Sequence, residues 1–127
     1  MDSEDLKRRT KKFAHDCIKL SGLLPNIYLG NHIKGQLIRA STSVAANYRA
    51  VCLAQSKASF ISKISIVIEE ADETLFWLQF IKDEKLIENK KITSFINEAN
   101  ELVSIFIASR KTAQKKTGKT RRLKIDD

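Results

Sequence analysis

One proline and four glycines are spread over 127 residues. All-β folds draw on turn residues every ten positions or so, and that supply is missing. Long uninterrupted helices need little of it. No apolar run approaches the ~20 residues that span a bilayer, so no membrane partner is expected. The first twelve residues, MDSEDLKRRTKK, lack the apolar stretch of an export signal, and a cytoplasmic location is expected. The two cysteines, Cys17 and Cys52, then read as reduced thiols at core-like helix positions.

Catalytic and cofactor signatures are equally scarce. There is no Gly-x4-Gly-Lys-Ser/Thr loop and no Gly-x-Gly-x-x-Gly turn. The stretch Thr117–Thr120 matches only the end of a phosphate loop, without the leading glycine, the strand before or the helix after. Only two histidines exist, and neither has a cysteine or carboxylate at ligand spacing, so no metal or cofactor is expected. A cysteine nucleophile would need a paired base, and nothing pairs with Cys17 or Cys52 in sequence. The one dense acidic run, Glu69, Glu70, Asp72 and Glu73, points around most of a helix rather than converging. It reads as a solvated face with one member paired to Arg39 or Arg49. The chain is expected not to be an enzyme.

Apolar periodicity is plentiful. Leu6, Phe13, Cys17 and Leu20 form one helical stripe, with Ser3 as the expected N-cap and Gly22 and Pro25 as the stop. A second helix is expected over His32–Leu53, on Ile33, Leu37, Ala40, Val44, Tyr48 and Val51. Its middle is built of small residues, which suits a central helix contacted on more than one side. Arg39, Ser43 and Asn47 recur every fourth residue and make a polar stripe that needs partners. A third helix, capped by Ser56, runs to Lys82, and a fourth from Asn89 to Thr112. Between residues 60 and 81 the third carries 13 apolar side chains in 22 positions. A bundle helix needs only about three in seven, so the surplus predicts a second contact face, in a bundle this small most naturally another subunit. These elements predict an all-α, antiparallel up-down-up-down four-helix bundle over residues 1–113, followed by a flexible basic tail, 114–127.

Net charge is +8, with a pI near 9.6. Residues 13–68 hold six basic side chains against Asp16 alone, and 69–114 hold nine acidic against six basic. Residues 115–127 return to six basic against two acidic. This asymmetry points to a polyanion, and in the cytosol most often nucleic acid. The candidate contacts are Lys7, Arg8, Arg9, Lys11 and Lys12 on the first helix, and Lys115, Lys116, Lys119, Arg121, Arg122 and Lys124 in the tail. No aromatic ring is interleaved with these charges apart from Phe13 at the edge, so contact is expected to be with the phosphate backbone and weakly sequence-specific. The alternative is a protein–protein adaptor, which the acidic third helix and its apolar surplus would serve equally well.

Set side by side, RASTSVAANYRA (Arg39–Ala50) and SKASFISKISIVIEEADETLFWLQFI (Ser56–Ile81) resemble the four-helix-bundle family of ribosomal-RNA intervening-sequence proteins, itself similar to the accessory protein of diversity-generating retroelements. The likeness covers roughly residues 5–112 and is carried by the Arg-x3-Ser-x3-Asn stripe with the Glu-Glu-Ala-Asp-Glu-Thr run. It implies a bacterial bundle assembled as a homopentameric ring with a basic surface. Nucleic acid would be the partner, RNA before DNA, with a reverse transcriptase as the partner in the accessory branch and no catalytic residues. Many members follow the asparagine with an apolar pair and Glu-Gly, where this chain has Tyr48, Arg49 and Ala50. Arg49 thus joins the candidate nucleic-acid contacts.

Overall fold

The computed structural model describes the backbone of residues 1–126 and the side chains of residues 1–115. Four helices follow one another: α1 (Ser3–Ser21), α2 (Tyr28–Val51), α3 (Lys57–Asp83) and α4 (Asn89–Asp126). Each packs on the next in the chain. Cross-helix pairs set their sense. Arg39 of α2 meets Glu70 and Glu73 of α3, Ser65 of α3 meets Arg110 of α4, and Arg9 and Phe13 of α1 meet Glu98 and Phe95 of α4. Every pair runs antiparallel, which makes an up-down-up-down bundle. Residues 114 and 115, the start of the expected tail, fall within the bounds of α4, and the side chains of the rest lie outside the described residues. No helix among the described residues is long and apolar enough to cross a membrane.

Local chemistry fixes the ends. The N-cap of α1 is Asp2 rather than Ser3. The Asp2 carboxylate accepts from the Asp5 N–H at 2.8 Å and the Asp5 carboxylate accepts from the Asp2 N–H at 3.4 Å, a reciprocal capping box. Gly22 ends α1 in right-handed geometry, so its freedom of φ is not used. Helix α2 starts one turn earlier than its apolar stripe predicts, at Tyr28 instead of His32. The reason is a tight turn. Ile27 N–H donates to the Pro25 carbonyl at 2.8 Å, and Gly30 packs so closely on Pro25 that a Cβ would lie 2.1 Å from that oxygen. Ser56 caps α3 as expected, accepting from Ser59 N–H at 3.0 Å. Beyond α3, Lys85 takes a left-handed φ of 54° and Leu86 N–H reaches back to the Ile81 carbonyl, which closes the helix before α4.

The core holds one stripe from every helix, including Phe13, Leu37, Val44, Ile64, Leu78 and Phe106, all buried. Four buried hydroxyls, on Thr10, Ser21, Ser41 and Thr74, donate to carbonyls of their own helices, so none is left unmatched. The small residues Ala40 and Ser41 let α2 sit between α1 and α3, as a central helix should.

Candidate nucleic-acid interface

The cations of α1 divide into three groups by the side of the helix they occupy. Arg9 and Lys12 face α4. Arg9 is only 19% exposed and forks onto Glu98 at 2.6 and 2.8 Å, with Glu101 at 2.9 Å. The Arg9 guanidinium holds its proton more tightly than usual, chiefly through its hydrogen bonds to Glu98. Lys12 lies 2.7 Å from Asp16, which likewise raises its pKa. Arg9 is committed inside the bundle and is a poor candidate for phosphate, whereas Lys12 is 77% exposed and its pair with Asp16 lies on the surface. Arg8 points outward and touches Asp5 at 2.5 Å. That contact, with the Asp2 backbone bond as the larger cause, keeps the Asp5 carboxyl below its usual range.

The third group faces α2. Lys7, Lys11 and His15 recur every fourth residue along one side of α1, and Arg49 of α2 stands across from them. Between the helices lies a groove of about 500 Å³, floored by Ala14, Ile18, Ala45 and Ala46 with Thr42 beside them. Lys7 also touches Glu4 at 3.1 Å. Among the described residues, Lys11, His15 and Arg49 have no carboxylate within ion-pair reach. The structure thus brings together three of the cations expected from sequence and adds His15. The four-residue spacing from Lys11 was the available signal for that histidine.

At the far end of α4, Lys111 and Lys115 are exposed, and Arg110 donates to the Ser65 hydroxyl at 3.2 Å. The side chains of Lys116, Lys119, Arg121, Arg122 and Lys124 lie outside the described residues. The polar stripe of α2 finds partners. Arg39 bridges Glu70 at 3.1 Å and pairs with Glu73, while the Asn47 amide donates to the Ser43 carbonyl at 2.8 Å.

Helix α3 keeps its apolar surplus on the outside. Ile66 is 43% and Phe76 51% exposed. Phe76, Trp77 and Phe80 cluster with ring centres 5.0 to 6.1 Å apart, and His32 meets the Trp77 ring at 5.6 Å. The Trp77 indole N–H is shut off from solvent with no acceptor among the described residues. Glu69 and Asp72 are exposed on the same helix, so this ridge is acidic as well as aromatic.

Cys17 is fully buried, and burial pushes its thiol up to about 12 against a smaller lowering effect of Ser41. No cluster of three or more metal-ligating side chains occurs among the described residues.

Comparison with known proteins adds the lineage. The model of the 23S rRNA-intervening sequence protein family matches residues 4–108. The crystal structure at 1.70 Å of a protein with unknown function from the S23 ribosomal protein family of Bacteroides thetaiotaomicron VPI-5482 is similar with a TM-score of 0.77 and 30% identity, over 87% of this chain and 99% of that one. No curated protein matches. The family match stops short of Lys115, so the basic carboxy-terminal run lies beyond the part shared with the family.

Proposed function

Because the chain belongs to the 23S rRNA-intervening sequence protein family, we propose that it is a non-enzymatic, self-assembling nucleic-acid-binding protein of the cytoplasm, with RNA preferred over DNA. The observation that carries this reading is the carboxy-terminal run. Six Lys/Arg residues fall between Lys115 and Lys124 with no acidic side chain among them and no aromatic ring. Such a run neutralises phosphates and releases counterions, and it offers no platform for base stacking. Arg8 on the outward side of α1 adds a further contact. The preference for RNA rests on the family's name, which ties it to ribosomal RNA. The exposed apolar ridge of α3 supports self-assembly, for which the resemblance implies five copies, and a ring would present several basic runs to one nucleic acid at once.

The non-enzymatic reading is supported by how the reactive groups are used. Cys17 is kept protonated by burial, and Glu70 and Glu73 are spent on Arg39. A protein partner such as a reverse transcriptase is the alternative, and the apolar floor of the α1–α2 groove favours a protein at that place.

The test is a gel-shift titration of one RNA and the DNA of the same sequence at low salt, with the full chain and with a chain ended after Ala113. The expected result is binding by the full chain, tighter for RNA, that weakens at least tenfold on truncation. A full chain that shifts neither nucleic acid would overturn the reading.

A further inference from the structure

We propose that the acidic, aromatic ridge of α3 docks into the α1–α2 groove of a second copy of this chain; this rests on the self-assembling reading above and assigns its two faces. The ridge and the groove complement each other in three independent ways.

The first is shape. Ile66 and Phe76 stand out from α3 with about half their surface in water. The groove is a hollow of about 500 Å³ whose floor of Ala14, Ala45 and Ala46 lets another helix approach closely. The second is charge. Glu69 and Asp72 on the ridge are exposed, and Lys11, His15 and Arg49 in the groove have no carboxylate near them among the described residues. Each face holds what the other lacks.

The third is order along the bundle. Helices α1 and α3 run in the same direction. In the groove, charge at Lys7, Lys11 and Arg49 gives way to Ile18, and beyond the groove Ile27 and the first residue of α2, Tyr28, are 51% and 90% exposed. On the ridge, the acidic residues 69–73 come first and the aromatic residues 76–80 follow. Two copies standing parallel therefore bring acid to base and aromatic to apolar together. An inverted copy mismatches both.

Ridge and groove lie on different faces of the bundle, so a contact between them is heterologous and leaves a free groove on one copy and a free ridge on the other. The apolar floor, without an aromatic ring, suits a helix better than a nucleotide. The groove cations then serve assembly, and the carboxy-terminal run remains for nucleic acid.

The experiment is light scattering on the full chain and two variants, Lys11→Glu/Arg49→Glu in the groove and Glu69→Lys/Asp72→Lys on the ridge. All four positions are exposed, and circular dichroism checks that each variant keeps its helix content. The wild type is expected as an assembly and each variant as a monomer of 14.4 kDa. In an equimolar mixture the intact ridge meets the intact groove and the two reversed faces match each other, so the mixture is expected to reassemble into species of more than one chain. Variants that retain the wild-type mass sink the assignment and leave self-assembly standing. A wild type that is itself monomeric sinks both. A groove variant that stays assembled but loses RNA affinity gives the groove to nucleic acid, and overturns the proposal.

Discussion

Lys85 is the one described non-glycine residue with a left-handed backbone, at a φ of 54°. Holding an L-residue there costs about 1 kcal/mol that glycine does not incur. Lys85→Gly is therefore expected to raise the chemical-denaturation free energy by roughly 0.5–1 kcal/mol, and an unchanged or lower value would show the side chain to be held by something else. Cys17 makes a prediction of opposite kind. Its folded thiol titrates at about 12, against an ordinary 9.0. Below pH 9.0 both states hold the proton and the contribution is complete; above it the unfolded chain ionises first, so stability falls as pH rises toward 12. The slope is about 1.4 kcal/mol per pH unit, and Tyr48, also pushed up by burial, acts in the same direction. Thermal melts at pH 8 and 10.5 should show a smaller drop for Cys17→Ala than for the wild type. Equal drops would mean that Cys17 is not held protonated.

At the scale of elements, the α1–α2 connection is the tightest place in the fold. A Cβ at Gly30 would lie 2.1 Å from the Pro25 carbonyl oxygen, a backbone atom that cannot swing away. Gly30→Ala is expected to cost about 1–3 kcal/mol in urea denaturation, and a neutral result would show that the turn re-forms easily. This contact also explains what the sequence could tell about α2 and what it could not. Its stripe from Ile33 to Val51 follows from 3.6-residue periodicity alone, and so does the Ser56 cap of α3. The added turn from Tyr28 depends on a glycine meeting a proline across a bend, which no local pattern encodes. The same limit applies to α1. Lys7, Lys11 and His15 share a face by spacing, but only the placement of α2 sets Arg49 opposite them. That Arg9 is consumed by Glu98 and Glu101 depends on α4 closing onto α1 from the other end of the chain. The bundle was legible because amphipathic stripes carry it, whereas the fate of each cation was not, because a charge is satisfied by its neighbours in space.

For the whole molecule, the net charge of +8 is spread over parts with different duties. Arg9, Lys12 and Arg39 are paired with carboxylates of the bundle, while Lys11 and Arg49 line a groove whose floor is apolar. The Lys/Arg run from Lys115 to Lys124 lies beyond the residues that the family model matches. On this account the bundle is the assembly unit and the carboxy-terminal run the phosphate contact. The two should separate experimentally, since the last core residue, Phe106, precedes the run.

The most direct measurement is the slope of log binding constant against log salt for a labelled single-stranded RNA, taken on the full chain and on the chain ended after Ala113. Each phosphate neutralised contributes about 0.7 to that slope on a single strand. The account predicts a steep salt dependence for the full chain that becomes shallower by several phosphate contacts once the run is removed, with the number of subunits unchanged. A slope and affinity that survive truncation intact would contradict it and place the phosphate contacts on the bundle.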